Sequence, residues 1–151
     1  MRNYRAPGCA EPARFELPAR PPGLYQFLAR QAAAMRTVVV ATGLSSEVRY
    51  ASVQPGDMFR VYCPPGTDFI ACLGQMRCER FANLEVVETA DPSVYFDARQ
   101  DEGGFWWASP VQTYLELMAG SRRDQETASQ VKAGIVAGLG EAAQAEPAQS
   151  R

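Results

Sequence analysis

The groups in this chain whose type and spacing could most readily do chemistry are carboxylates. Asp91, Asp97, Asp101 and Glu102 lie within one short charged stretch. Paired carboxylates can act as general acid and base, or they can bind a cation through oxygen ligands. The sequence ties no nucleophile or further base to them. The pattern therefore favours a solvated loop with local ion pairs over a catalytic or metal site.

The chain contains no histidine and four cysteines, which are Cys9, Cys63, Cys72 and Cys78. The lack of histidine removes the commonest general base and the usual nitrogen ligand of zinc. No two cysteines have the Cys-x-x-Cys spacing that is typical of zinc ribbons and redox motifs. We therefore predict free thiols in a reducing cytoplasm, with no metal site and no cofactor.

Two pairs of neighbouring residues are candidates for contact with a partner. Trp106 and Trp107 should point to opposite faces if they lie in a strand, so one ring is expected in the core. The other could be an interaction hot spot, because tryptophan is enriched among them. Arg122 and Arg123 could contact phosphate, although the acidic residues beside them are more typical of a solvated helix start. Purely structural roles stay open as alternatives for both pairs.

The overall charge argues against a dedicated nucleic-acid-binding protein. The 151 residues carry a formal net charge of −2, and Lys132 is the single lysine. Nucleic-acid binding usually needs a basic surface. The length suits one domain with a real core, and neither a signal peptide nor a membrane-spanning apolar run is apparent. We expect a cytoplasmic protein with no membrane partner.

Short β-branched runs alternate with helical runs, which is typical of a small α/β or α+β domain. The prolines among residues 1–22 predict a flexible arm, and residues 1–20 are expected to contribute little to the core. Residues 23–139 are predicted to form one domain, a small mixed sheet flanked by helices and ending in a helical pair. Residues 140–151 are predicted to be a frayed tail. The predicted strands lie near 37–42, 58–63 and 84–89, with shorter ones at 94–96 and 105–107, and the earlier helices lie at 23–35 and 69–76.

The strongest local signal is a helix start at Ser109. Its hydroxyl can accept a hydrogen bond at the N-cap position, and Pro110 suits the first helical position, where a missing N–H costs nothing. Gln112 stands three residues after Ser109 and completes a capping box. Apolar residues then recur at helical spacing and predict the buried face of this helix. They are Val111, Tyr114, Leu115 and Met118.

Residues 109–117, SPVQTYLEL, also resemble a segment near the end of the AbiEi-type antitoxins, which belong to the AbiE abortive-infection systems. Other segments resemble that family in the same order, from about Gly23 to Val136. They are VATGLSS at 40–46, FRVYC at 59–63, LEVV at 84–87 and DPSVYFDAR at 91–99. Members of the family carry an N-terminal winged helix-turn-helix, which needs about 60 residues to bury a core. Residues 1–22 are too few, so the chain resembles the C-terminal domain alone.

This resemblance implies a degenerate form of the minimal nucleotidyltransferase fold. An active enzyme of that class has a Gly-Ser or Gly-Gly pair after a strand and, about a dozen residues later, two carboxylates that hold two metal ions. Gly43 and Ser45 follow a predicted strand, and Asp57 lies at a suitable distance. Phe59 stands where the second carboxylate is needed, so we predict no nucleotidyl transfer. The resemblance also makes an ion pair of Arg99 a candidate for fixing its loop.

The function that the resemblance implies is that of a non-enzymatic antitoxin, which counteracts a nucleotidyltransferase-type toxin in phage defence. In the family the C-terminal domain carries the antitoxic activity, and the system is described as type IV, in which direct contact with the toxin is not required. The expected partner is therefore the toxin or the target of the toxin. A DNA-binding transcriptional regulator of the same system, a divergent nucleotidyltransferase and a remnant without present activity stay open as alternatives.

Overall fold

The computed structural model describes residues 11–149, with side chains from 11 to 139. Its strands are β1 (Ala13–Phe15), β2 (Val40–Ala41), β3 (Phe59–Cys63), β4 (Leu84–Glu88), β5 (Arg99–Gln100) and β6 (Trp106–Trp107). They form one mixed six-stranded sheet in the order β1-β4-β3-β2-β6-β5. The prediction that the strands near 37–42, 58–63 and 84–89 share a sheet is confirmed, although the first is shorter than predicted.

The helices are α1 (Gly23–Ala34), α2 (Glu47–Tyr50), α3 (Phe69–Cys72), α4 (Pro110–Met118) and α5 (Arg122–Gln149). Two 3₁₀ turns cover Gly74–Met76 and Pro92–Val94. The predicted strand at 94–96 is therefore wrong. Asp91 accepts a hydrogen bond from the Ser93 N–H at 2.9 Å, which caps a turn that Pro92 begins. The helix predicted over 69–76 ends at Cys72, before a glycine, the residue that weakens a helix most after proline.

The two central strands of the sheet carry the core. β3 pairs parallel with β4 and antiparallel with β2, and β2 pairs parallel with β6. One face of β2, β3, β4 and β6 packs against α1. Residues on this face form an apolar cluster to which α1 contributes Leu24 and Leu28. The sheet residues in that cluster are Ala13, Phe15, Ala41, Phe59, Val61, Cys63, Leu84, Val86 and Trp107. The opposite face carries Tyr62 and Val87, which pack with Val94.

The prediction that residues 1–20 contribute little to the core is wrong for residues 13–17. Ala13, Phe15 and Leu17 alternate with exposed residues and are all buried, Phe15 completely. β1 adds to the edge of the sheet by pairing antiparallel with β4. The alternation of apolar residues with other residues between Pro12 and Pro18 is typical of a strand with one buried face. Residues 1–10 of the predicted arm lie outside the described residues.

A helical pair closes the fold, as predicted. Leu117 of α4 packs against Ala128 and Val131 of α5 in a separate apolar cluster. α5 begins with a capping box, because Ser121 and Asp124 each accept a hydrogen bond from the other's backbone N–H. The sequence predicts that this helix ends near Leu139 and leaves a frayed tail, whereas the helical backbone continues to Gln149. Residues 150 and 151 lie outside the described residues.

Candidate functional site

The candidate site is the turn between β2 and α2, where the sequence places a glycine and two serines after a strand. The turn starts at Thr42, whose N–H donates to the Arg60 carbonyl at 3.0 Å and so extends the pairing with β3. The Ser45 N–H donates to the Thr42 hydroxyl at 3.2 Å, and the Ser46 N–H donates to the Thr42 carbonyl at 2.8 Å. These bonds fix the turn against the edge of β3.

Both serine hydroxyls of the turn are engaged with backbone groups. Ser45 Oγ accepts a hydrogen bond from the Arg60 N–H at 2.9 Å. Ser46 is fully buried, and its Oγ donates to the Ala41 carbonyl at 3.4 Å and accepts from the Ala108 N–H at 3.0 Å. The two hydroxyls thus connect β2, β3 and the short segment between β6 and α4. They serve as structural links in this conformation.

A carboxylate from α4 lies against the backbone amides of the turn. Glu116 is only 7% exposed, and its Oε1 accepts a hydrogen bond from the Leu44 N–H at 3.4 Å. Its Oε2 accepts from Gln112 Nε2 at 2.8 Å. Burial raises the pKa of Glu116, and hydrogen bonds from Gln112, from the backbone of Gly43 and Leu44 and from Tyr62 oppose the rise. One carboxylate therefore joins the turn, β3 and α4.

The face of α4 that this carboxylate belongs to differs from the predicted one. The buried residues of the helix are Gln112, Thr113, Glu116 and Leu117. Val111 is 54% exposed, and Tyr114, Leu115 and Met118 are only partly buried. The predicted cap is confirmed, because Ser109 Oγ accepts from the Gln112 N–H at 3.0 Å. Among the described residues, the fully buried Thr113 hydroxyl has no hydrogen-bond partner.

A cleft of about 660 Å³ opens on the outer side of the turn. Leu44 and Ser45 of the turn line it together with Leu17 and Tyr25. Its charged lining residues are Glu16, Arg20, Glu47, Asp57, Arg60 and Asp124. Burial and the neighbouring Asp124 raise the pKa of Glu47. The excess of acids over arginines gives the cleft a net negative charge.

The cleft lacks the second carboxylate that a two-metal site would need two residues after Asp57. Asp57 is exposed at its rim, whereas Phe59 is buried with its ring 4.9 Å from that of Tyr25 and 5.8 Å from that of Trp107. The adjacent strand offers Glu85, but Arg14 and Arg60 hold that carboxylate at 3.1 and 3.2 Å. Among the side chains that the structure describes, no cluster of three or more His, Cys, Asp or Glu could hold a metal ion.

Trp107 is a core residue, as predicted for one member of its pair. It is 2% exposed, and its Nε1 donates to Asp101 Oδ2 at 2.9 Å. The Arg49 guanidinium lies 5.6 Å from the centre of its ring. Trp106 points to the opposite face of the sheet and is partly exposed, so it is the member of the pair that can reach a partner.

The three candidate arginines lie on different elements. Arg99 is in β5 and forms the expected ion pair with Asp97, at 3.4 Å, with both side chains more than half exposed. Such an exposed pair adds little stability. Arg122 and Arg123 are exposed at the start of α5.

Cys63, Cys72 and Cys78 are free thiols, as predicted, while Cys9 lies outside the described residues. Burial raises the pKa of Cys63 to about 11.

Sequence reasoning missed Glu116 and Tyr62 altogether. The sequence feature that could have identified Glu116 is the pair of polar residues at 112 and 116, which lie one helical turn apart and so share a face of α4.

Comparison with protein-family models, with curated proteins and with solved structures finds no match to this chain. Across the described residues, none of the helices combines the length and the apolar character that a membrane crossing requires.

Proposed function

We propose that this protein is a non-enzymatic, antitoxin-like protein that counteracts a nucleotidyltransferase-type toxin. The ordered resemblance of residues 23–136 to the AbiEi C-terminal domain is the origin of the proposal. The observation that carries it is the position of the buried Glu116 carboxylate, which lies against the turn between β2 and α2. A nucleotidyltransferase would use the amides of such a turn for phosphate, and here the Leu44 N–H donates to a carboxylate of the same chain.

The missing acid at position 59 supports the same proposal. Two-metal catalysis needs carboxylates that bridge two cations at about 3.5–4 Å. Phe59 stands at that position, where its ring packs into an aromatic cluster and carries no oxygen that could bind a cation. Asp57 alone at the rim of the cleft would hold at most a weakly bound cation.

The proposed partner is the toxin or the target of the toxin, in the cytoplasm. Contact would use surface residues, since the turn is occupied and Trp107 is buried. Trp106 and the exposed arginines Arg99, Arg122 and Arg123 are the candidate contacts. The net charge of −2 weighs against the alternative of a DNA-binding regulator.

Co-expression tests the proposal directly. The chain is produced in cells together with a nucleotidyltransferase-type toxin of an AbiE system, and growth is measured at matched, verified expression of folded protein. Rescue of growth is expected, and rescue by Asp57→Ala should equal that of the unchanged protein. Failure of the folded protein to rescue growth would overturn the proposal.

A second assay separates the proposal from the enzymatic alternative. The purified protein is incubated with labelled nucleoside triphosphates, RNA or protein acceptors, and magnesium or manganese. We expect no incorporation above that of a heat-inactivated sample. Incorporation that Asp57→Ala abolishes would establish a divergent nucleotidyltransferase instead.

A further inference from the structure

We infer that the cleft beside the turn between β2 and α2 binds a small aliphatic polyamine, a flexible chain of methylene groups that carries several ammonium charges. The cleft lies at one end of the sheet, where β1 ends and β3 begins. Its volume of about 660 Å³ falls within the range of small-molecule sites in proteins. The antitoxin proposal does not require such a ligand, so the two can fail separately.

The chain itself leaves the negative charge of this cleft uncompensated. The acidic lining residues are Glu16, Glu47, Asp57 and Asp124. None of the ion pairs among the described residues includes any of these acids. Of the two described arginines that line the cleft, Arg60 already binds Glu85 at 3.2 Å, which leaves only Arg20 uncommitted. A cation from solution would therefore meet several carboxylates that lack an opposite charge.

Glu47 is the lining acid whose surroundings most clearly favour a cationic ligand. It is half-buried, and within the described part of the chain its carboxylate accepts no hydrogen bond. Burial raises the pKa of Glu47 and the nearby Asp124 raises it further, while Arg123 opposes the rise without forming an ion pair. An ammonium group carries three hydrogen-bond donors and a positive charge, so it would supply both of the interactions that Glu47 lacks.

Apolar side chains line the same cleft and would receive the methylene groups of the ligand. They include Leu17, Leu44, Met58 and Phe59. The ring of Tyr25 adds to this surface, and its hydroxyl has no hydrogen-bond partner among the described residues. A ligand that satisfies both kinds of surface has charged groups on an aliphatic stem, as a lysine side chain does.

A metal ion fits this arrangement less well than a polyamine does. The four acids come from four separate segments of the chain. Among the described residues, no group of three or more metal-ligating side chains lies close enough to hold one ion. A flexible polyamine can reach carboxylates that lie apart, because its charges are distributed along a chain.

A peptide also lacks the backbone partners that it would need at this end of the sheet. Extended peptides commonly bind by adding to a free strand edge. The outer edge of β1 is already covered, because the Glu16 N–H donates to the Met76 carbonyl at 2.8 Å and the Cys78 N–H donates to the Arg14 carbonyl at 3.1 Å. The cleft therefore favours a small ligand over a peptide segment.

Calorimetric titration with spermidine tests the inference. The unchanged protein, at neutral pH and low ionic strength, should bind spermidine saturably, and added sodium chloride should weaken the binding. Glu47→Gln and Asp57→Asn should each weaken binding by about fivefold, the loss expected for one partly exposed ion pair. Glu126→Gln removes an exposed acid of α5 outside the cleft and is the matched control, which should bind like the unchanged protein.

The absence of saturable binding to the unchanged protein would overturn the inference, as would equal weakening by Glu126→Gln and Glu47→Gln. Three further probes test the class of ligand. The neutral 1,8-octanediol, which matches spermidine in length, should not bind, and magnesium chloride should displace spermidine no better than sodium chloride of equal ionic strength. Binding of the diol or specific displacement by magnesium would overturn the polyamine assignment. A blocked peptide of three arginines that binds more tightly than spermidine would overturn it in favour of a peptide ligand.

Discussion

Gly43 and Glu116 lie in direct contact across the junction between the sheet and the C-terminal helical pair. A Cβ atom at position 43 would lie 2.7 Å from Glu116 Cδ and 2.9 Å from both Glu116 Cβ and the Gln112 carbonyl oxygen. Two of these three atoms belong to the backbone or to the base of a side chain, so they cannot swing aside. The glycine is therefore required by the close approach of α4 rather than by its own backbone conformation.

The first prediction concerns this contact. Gly43→Ala should lower the free energy of unfolding by about 1–3 kcal/mol, the typical cost of adding volume to a packed interior. The reason is that α4 must move away from the turn and lengthen the hydrogen bonds to Glu116. Urea unfolding of the purified variant measures the loss.

Gly56→Ala is the matched control for this prediction. Nothing lies within 4 Å of a Cβ atom built at position 56, so the same change of residue adds no contact there. The control should unfold within about 0.5 kcal/mol of the unchanged protein. Equal stability of Gly43→Ala and Gly56→Ala would mean that α4 does not pack closely against Gly43.

The second prediction is a pH dependence that Glu116 produces. Burial raises the folded-state pKa of Glu116 above its ordinary value of 4.5. The contribution of this group to stability is therefore fully present below pH 4.5 and is lost as the pH rises through the folded-state pKa. Glu116→Gln removes this contribution, so the difference in stability between the unchanged protein and the variant should change across that window in this direction.

Measurement of that difference requires unfolding curves at several pH values from about 4 to 8, the range in which a raised carboxyl pKa acts. At neutral pH, Glu116→Gln should be as stable as the unchanged protein or more stable, because a neutral amide replaces a buried charge. Glu126→Gln, at an exposed position of α5, controls for the general effect of losing one acid. A difference that does not vary with pH would contradict the prediction.

The third prediction concerns the N-terminal strand. Phe15→Ala should destabilise the protein by about 3–5 kcal/mol, as expected for truncation of a fully buried phenylalanine. Phe15 is 0% exposed and lies in the main apolar cluster. Phe81→Ala is the control, because Phe81 is 64% exposed. Equal midpoints of the two variants in thermal unfolding would mean that residues 13–17 contribute little to the core.

Much of the sheet could be predicted because its strands are short β-branched runs between turn residues. The core strands β3 and β4 are predicted almost to the residue by this pattern. β1 was missed, although Ala13, Phe15 and Leu17 alternate, because the surrounding prolines suggested an extended arm. A three-residue strand is stabilised by its partner, here β4, and that partner is distant in the sequence.

The candidate site could be located from the sequence only in part. The glycine and serines of the turn follow a strand, and this pattern drew attention to residues 43–46. The role of Glu116 could not be predicted, since hydrophobic periodicity assigns a charged residue to the solvent-facing side of a helix. Its burial depends on donors from the turn and from Tyr62, and only the folded chain brings these together.

The last prediction compares three positions of α4 and separates its cap from its core. Leu117→Ala should cost about 2–5 kcal/mol because Leu117 is fully buried between α4 and α5. Ser109→Ala should cost about 1 kcal/mol through loss of the N-cap hydrogen bond. Val111→Ala should change the free energy of unfolding by less than about 0.5 kcal/mol, because Val111 is 54% exposed. Urea unfolding of the three variants should therefore rank them in this order. A larger loss for Val111→Ala than for Leu117→Ala would mean that the helix buries the apolar face that its sequence predicts, and that Glu116 points to solvent.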